Sequence, residues 1–264
     1  MRDEHYGRED ILAQPYPEGW DLYLLHNVAH FHLLNDNERA RLRDVSRVMV
    51  GEKNWEGCGG LQVTSEVKVT IAAQACLLLL GMEHDYFSCV QSVLVYPSAF
   101  MIPTSEWLDT YDGAVAAAGQ AVYRGPVILA WDSVLAEGRD PSSGNNLVIH
   151  EFAHQLDFLD ECINGTPDLT SEDQADRWHE VMMVEYLRLI RAIRKGHDTF
   201  LGVHAGRDEA EFFAVASERF FTRPERLRHY HRALYEVLAE FYGVDPIVWF
   251  SRSIGVAEPD RGSI

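Results

Sequence analysis

The segment VIHEFAHQLD, residues 148–157, constrains most strongly what this chain can fold into. On an α-helix, His150 and His154 lie one turn apart on the same face, so both imidazoles can bind one metal ion. Glu151 stands beside them, and apolar residues surround the three polar side chains. Buried polar groups need partners, and one metal ion satisfies all three together. The segment therefore predicts a helix with a zinc site; the alternative is an ordinary helix whose histidines form hydrogen bonds.

The same segment predicts a chemical role for Glu151. Catalytic zinc sites have three protein ligands and leave the fourth position to water. Zinc lowers the pKa of that water, and a neighbouring glutamate can remove its proton as the water attacks a polarised carbonyl. We therefore expect one zinc ion per chain, with His150 and His154 as ligands and Glu151 as general base.

Asp160 is one candidate for the third ligand. It lies six residues after His154, which is the spacing of metzincin-like sites. Those sites use a glycine three residues after the second histidine, whereas this chain has Asp157 there. Asp157 follows both histidines on their helix face, so it can orient an imidazole or cap the helix.

Glu211 is the stronger candidate for the third ligand. It lies in DEAEFFAVASERFF, a second predicted helix in which Glu211 and Glu218 share a face flanked by phenylalanines. A ligand on a second helix would clamp two elements together. However, Asp208 and Glu211 also have the spacing of a capping box, so Glu211 could simply belong to a helix start. The roles of Glu211 and Glu218 remain open at this point.

Composition excludes several classes of protein. The chain has 264 residues, of which 47% are hydrophobic, enough for one globular unit spanning residues 1–264. A formal charge of −18 argues against direct binding to nucleic acid or to anionic membranes. The longest apolar stretch, VTIAAQACLLLLGM, is too short to cross a bilayer. The N-terminus lacks a secretory signal and no cysteines form a CxxC pair, which favours the cytoplasm.

The order of predicted elements indicates an α+β fold in which helices predominate around a small mixed sheet. A helical N-terminal part covers residues 20–82, with Asn35 and Asp36 as capping residues and a second long helix over residues 65–80. Two β-rich segments follow, SVLVYPSAFM and GPVILAWDSV. Helices make up the remainder, and both chain ends are expected to fray. Either β-rich segment could supply the edge strand that aligns a peptide beside the active-site helix.

Five segments carry a resemblance to a known family. IAAQACLLLLG, VLVYPSAF, GPVILAWDSV, NLVIHEFAHQLDFLDECINGTP and EAEFFAVASERFF resemble, in the same order and over residues 20–245, the Mlc titration factor A family of zinc metallopeptidases. The last two also resemble the catalytic domain of anthrax-type lethal factor. The resemblance implies a zincin-like fold, aminopeptidase-like hydrolysis of peptides, and zinc bound by His150, His154 and Glu211. In enteric bacteria it also implies binding to the transcriptional repressor Mlc.

One position departs from the pattern of the resembling families. They have a tyrosine seven residues before the ligand glutamate, which stabilises the oxyanion, whereas this chain has His204. A histidine can donate a hydrogen bond to the same developing charge, so we assign His204 a catalytic role. The exchange also fits two alternatives, a regulatory binding protein on a weakly active peptidase scaffold and an ordinary loop residue. A zinc hydrolase of non-peptide amides is a third possibility, because an activated water attacks any polarised carbonyl.

The remaining histidines receive a simpler interpretation. His26, His30 and His32 have near-helical spacing but no carboxylate partner, so we interpret them as helix-face residues. His229 and His231 are interpreted in the same way. We therefore predict no second metal site.

Overall fold

The computed structural model describes residues 7–103, 114–122, 125–158 and 164–254 of the chain. Helices predominate in these ranges, and the strands are short. The α-helices are α1 (Arg8–Ala13), α2 (Trp20–Asn27), α3 (His30–Leu33), α4 (Asp36–Glu52), α5 (Ser65–Cys76), α6 (Trp131–Arg139), α7 (Leu147–Asp157), α8 (Glu172–Arg194), α9 (Glu209–Thr222), α10 (Pro224–Tyr230), α11 (Arg232–Tyr242) and α12 (Pro246–Ile254). The strands are β1 (Asn54–Gly57), β2 (Ser92–Tyr96), β3 (Phe100–Pro103), β4 (Ala114–Ala117), β5 (Gly119–Ala121) and β6 (Val127–Ala130).

The sheet next to the helices has four strands in the order β1, β2, β6, β5. β1, β2 and β6 are parallel, with Val93 opposite Val127. β5 is antiparallel to β6, with Gly119 opposite Leu129. β3 and β4 form a separate antiparallel pair. Helices around a small mixed sheet confirm the predicted α+β character.

The positions of the strands correct three expectations. We predicted that SVLVYPSAF or GPVILAW supplies an edge strand, but their strands β2 and β6 lie inside the sheet, and β5 forms the edge beside α7. The predicted helical N-terminal part, residues 20–82, also contains a strand, β1. The β-rich segment GPVILAWDSV ends as a strand at Ala130, because Trp131 already begins an amphipathic helix.

The two predicted N-terminal helices are present. Asn35 caps α4: its side chain accepts a hydrogen bond from the N–H of Glu38, whose carboxylate accepts one from the N–H of Asn35. α5 ends at Cys76, earlier than predicted, and residues 77–79 continue as a 3₁₀ turn. A tighter last turn is common at helix ends because it satisfies carbonyls that have no partner within the helix.

One hydrophobic cluster joins the first helices to the last. The ring nitrogen Nε2 of His30 on α3 lies 3.0 Å from the carbonyl oxygen of Phe221 on α9. Near the C-terminal ends of α5 and α11, Gly81 and Gly243 touch backbone to backbone: a Cβ atom on Gly81 would lie 2.3 Å from the Gly243 carbonyl oxygen. Neither glycine can therefore carry a side chain without separating the two ends. Of the helices in the described ranges, none combines the length and apolarity needed to cross a membrane.

Candidate metal centre

α7 carries His150, Glu151 and His154 and begins at a tightly held residue. Asn146 is its N-cap, with its side-chain oxygen 2.9 Å from the backbone nitrogen of Ile149. The backbone N–H of Asn146 donates to the carboxylate of Glu218 on α9, at 2.6 Å, and its side-chain amide donates to Gln74 on α5, at 2.8 Å. These contacts fix the start of α7, and therefore the direction in which its polar residues point, to two neighbouring helices.

α9 begins with a separate cap. Asp208 accepts a hydrogen bond from the backbone N–H of Glu211 at 2.8 Å, so it is the N-cap of the helix. The side chain of Glu211 does not return to the Asp208 backbone in the manner of a capping box, as it does for Glu38 on α4. α9 packs along α7, and this packing leaves the Glu211 carboxylate facing the α7 histidines. The backbone N–H of Glu211 is therefore part of the helix cap, whereas its side chain lies in the candidate metal site.

Three imidazoles surround one oxygen of this carboxylate. Glu211 Oε2 lies 3.2 Å from His150 Nε2, 3.7 Å from His154 Nε2 and 2.9 Å from His204 Nε2. One ligand atom each of His150, His154 and Glu211 lies within 4.8 Å of the other two. His204 stands at the entrance: its side chain is 57% exposed, and its ring stacks on that of His150 with centroids 5.7 Å apart. The structure thus brings His150, His154, His204 and Glu211 together.

The donor set fits a zinc ion. Glu211 Oε2 is buried, yet among the described residues no nitrogen is aligned to give it a hydrogen bond. Two imidazole nitrogens and a carboxylate oxygen that converge on one point are a ligand combination found in catalytic zinc sites. A cation at the point of convergence would satisfy all three atoms, including the otherwise unpartnered oxygen.

The electrostatics of the site reflect its burial. Burial raises the pKa of Glu151 to about 7, and the Glu211 carboxylate adds to the shift while His154 opposes it. Burial also lowers the pKa of His150, which favours the neutral imidazole that a metal requires. For Glu211, burial would raise the pKa, but His150 and His154 overcome this effect and hold the pKa below its usual value.

The other polar residues of α7 and α9 are close to the site without joining the ligand set. Glu218 Oε2 lies 4.0 Å from His150 Nδ1, and burial raises the pKa of Glu218 to about 7. Asp157 is fully buried, and backbone amides of residues 164–166 face its carboxylate. Neither oxygen has a well-aligned hydrogen bond among the described residues, so both roles considered for Asp157, capping and orienting an imidazole, stay predictions. Asp160, the competing third ligand, lies outside the described residues.

Four of these histidines, His26, His30, His32 and His231, have hydrogen bonds that explain them without metal, and the interpretation of His229 stays a prediction. His26 Nδ1 and His32 Nε2 contact backbone carbonyls of Leu22 and Leu25. His30 is buried rather than exposed on a helix face. On the C-terminal helices, the ring of His231 pairs with the buried carboxylate of Glu185 at 2.7 Å. In the part of the chain that the structure describes, the carboxylate and histidine cluster suited to metal is the one formed by His150, His154 and Glu211.

Comparison of the sequence with known proteins identifies the family of this chain. Residues 2–243 match the family described as glucose-regulated metallo-peptidase M90. The chain belongs to this family. An uncharacterized protein of Synechocystis sp. is 31% identical over 91% of this chain and 89% of its own length. Mlc titration factor A of Serratia proteamaculans is 31% identical over 83% of this chain and 85% of its own length, and that of Yersinia pestis is 29% identical over 83% and 82%. The resemblance to the Mlc titration factor A family is thereby confirmed.

The sequence did not reveal two features beside this candidate site. The first is the edge strand β5, which has the sequence GQA and carries no hydrophobic alternation. The second is the hydrogen bond from Asn146 to Glu218, which joins residues far apart in the chain. For β5, the available signal in the sequence was Gly119. A glycine in a strand often marks a place where another group approaches the backbone closely.

Proposed function

We propose that this chain is a zinc-dependent peptidase in which His150, His154 and Glu211 hold the metal and Glu151 is the general base. The proposal rests on the convergence of three ligand atoms, one each from His150, His154 and Glu211. The Glu211 oxygen is buried and has no hydrogen-bond partner among the described residues. Membership of a metallopeptidase family supports it. A zincin-like fold and one zinc ion per chain belong to the same proposal.

Glu151 and His204 have separate roles in the proposed reaction. A zinc ion in this site would polarise a substrate carbonyl and make a water molecule more acidic. Glu151 then removes the proton of the attacking water and transfers it to the leaving amine. Glu151 is buried and directly follows the proposed ligand His150 on α7, so its carboxylate is placed to accept this proton and pass it on. His204, at the open side of the site, donates a hydrogen bond to the developing oxyanion.

The proposed substrate is a peptide with a free N-terminus, cleaved in the cytoplasm. β5 lies against α7, and within the described residues its outer side pairs with no other strand, so an extended peptide can add to it. The cytoplasm is supported by Cys58, Cys76 and Cys89, which are free thiols.

A second candidate function is regulation by binding. Two relatives bear the name Mlc titration factor A, and His204 replaces the tyrosine of the resembling families. In this alternative the scaffold is weakly active or inactive, and it binds a transcriptional repressor of the Mlc type. Assays of peptides and non-peptide amides with added zinc, together with binding of a purified repressor, separate the two functions. Hydrolysis of peptides supports the first, whereas repressor binding without hydrolysis supports the second.

The ligand set is tested by metal analysis. We expect one zinc per chain in the wild type and loss of most of it in Glu211→Ala, because two histidines alone hold zinc weakly. Glu209→Ala is the matched control: it removes an exposed carboxylate from the same helix turn and should retain zinc. Full zinc content in Glu211→Ala together with loss in Asp160→Ala would identify Asp160 as the third ligand instead.

The general base is tested by Glu151→Gln. The amide keeps the size of the side chain but cannot take a proton, so we expect zinc content and fold to persist while hydrolysis falls by roughly 10²-fold to 10⁴-fold. Turnover and zinc content are measured on the same preparation. A mutant as active as the wild type would contradict the mechanism.

A further inference from the structure

We infer that Gly119 on the edge strand is a positioning residue for the catalytic machinery, because its missing side chain leaves the space in which the carboxylate of Glu151 stands. This inference rests on the proposed function of Glu151. It gives β5 a second role, to leave space for the Glu151 carboxylate, in addition to pairing with a peptide substrate.

The space above Gly119 is filled by α7. A Cβ atom on Gly119 would lie 2.3 Å from Oε1 of Glu151 and 2.5 Å from Cδ1 of Leu147. Leu147 and Glu151 are one turn apart on α7, so together they cover this point of the strand. Both distances are far below van der Waals contact, so the ends of both side chains would have to move.

The backbone itself does not require glycine at this position. Gly119 pairs with Leu129 of β6 as an ordinary strand residue, and it is absent from the residues with positive φ. Alanine can therefore adopt the same conformation. The requirement for glycine comes from the contact with Glu151 and Leu147.

The Glu151 carboxylate is one of the groups that would yield. The backbones on both sides are held, α7 by the hydrogen bond from the Leu147 N–H to the Glu137 carboxylate and β5 by its pairing to β6, so the side-chain ends of Leu147 and Glu151 have to turn aside. The end of the Glu151 side chain can rotate away from the strand. It would then leave the backbone N–H of Ala121, which faces the carboxylate and opposes the rise in its pKa. A methyl group on Gly119 would thus displace the base while the metal ligands stay in place.

The first test is kinetic. In Gly119→Ala we expect zinc content to be unchanged and kcat to fall roughly 10-fold to 100-fold, with a smaller change in KM, since an error of about 1 Å in a reacting group has effects of this size. Gly51→Ala is the control, because it adds the same methyl group on α4, outside the candidate site, where it meets only the side chain of Ile11. It should retain the wild-type kcat. Wild-type kcat in Gly119→Ala would overturn the inference.

The second test does not need catalysis. The drop in Tm caused by Gly119→Ala is measured in metal-free wild type and in metal-free Glu151→Ala. We expect a smaller drop in the second background, because the carboxylate that the methyl group meets is gone. If Gly119→Ala alone fails to fold and the double variant folds, that rescue supports the contact equally.

The two tests separate the inference from the function on which it rests. An equal Tm drop in both backgrounds would refute the contact between Gly119 and Glu151, whatever the activity. A protein that hydrolyses no peptide but shows the smaller drop would refute the proposed peptidase function and retain the contact.

Discussion

His204 is the residue at which this chain departs from the pattern of the families it resembles, and its position suggests two roles. Its Nε2 atom lies 2.9 Å from Glu211 Oε2, at the open side of the site. From there it can donate to the substrate oxyanion, or it can hold the Glu211 carboxylate in place. The two roles affect different measurements.

For the proposed oxyanion role, we expect His204→Ala to lower kcat by about 10²-fold to 10³-fold with little change in zinc affinity. His204→Tyr should retain or raise kcat, because it restores a hydroxyl donor at this position. Turnover and zinc affinity, the latter by competition with a chelator, are measured for both variants. A loss of zinc affinity without a loss of kcat in the zinc-saturated enzyme would mean that His204 only orients Glu211, and unchanged values of both would make it a bystander.

At the scale of residues, the sequence was sufficient to predict site residues that are neighbours on the same helix. His150, Glu151 and His154 follow from the period of one helix. The prediction of Glu211 needed a second helix and a family resemblance, because the local sequence does not show which helices pack together. The contact of Gly119 with Glu151 was not predictable, since it depends on where a three-residue strand crosses α7.

At the scale of elements, the start of α9 links stability to the metal site. Asp208 caps the helix by accepting a hydrogen bond from the backbone of Glu211, the proposed ligand. We expect Asp208→Ala to lower the free energy of unfolding by about 1 kcal/mol, the usual value of an N-cap, and to weaken zinc binding because the first turn of α9 loosens.

The matched control for this prediction is Asn35→Ala. Asn35 also accepts a hydrogen bond from the third residue of its helix, Glu38 of α4, but it lies outside the candidate site. Urea unfolding should show a similar loss of stability for both variants, and chelator competition should show weaker zinc binding for Asp208→Ala alone. Equal zinc affinity in the two variants would show that the cap does not position Glu211.

Elements with strong local signals were predicted, and those with weak or mixed signals were not. The cap of α4 and the glycine behind α11 mark their helices clearly. β1 was missed because NWEG lacks alternating apolar residues, and its place in the sheet comes from pairing with β2. The extent of β6 was overestimated because its apolar run continues into Trp131, the first residue of a helix.

At the scale of the whole molecule, His30 connects the N-terminal helices to the helix that carries Glu211. Burial lowers the pKa of His30 to about 4, although its hydrogen bond to the Phe221 carbonyl partly opposes the shift. Among the described residues, its Nδ1 atom has no hydrogen-bond partner, so a proton there would be buried without an acceptor. The folded state therefore requires a neutral His30.

This requirement predicts how stability depends on pH. Between pH 6.5 and pH 4 the unfolded chain binds a proton at His30 that the folded chain does not, so stability falls as the pH is lowered through this window. The contribution of His30 is at most about 3 kcal/mol, from 1.36 kcal/mol per pKa unit. The free energy of unfolding of wild type and His30→Gln is measured against pH. The variant should show a shallower decline, and parallel curves would contradict the assignment.

The order in which the chain is synthesised gives the site a fixed sequence of assembly. His150 and His154 leave the ribosome well before Glu211, and α9 packs against α3 and α11, so its surroundings require both earlier and later parts of the chain. A newly made chain that has only the two histidines offers zinc an incomplete set of ligands. On the proposed ligand set, the metal site is therefore complete only after α9 has docked against α7.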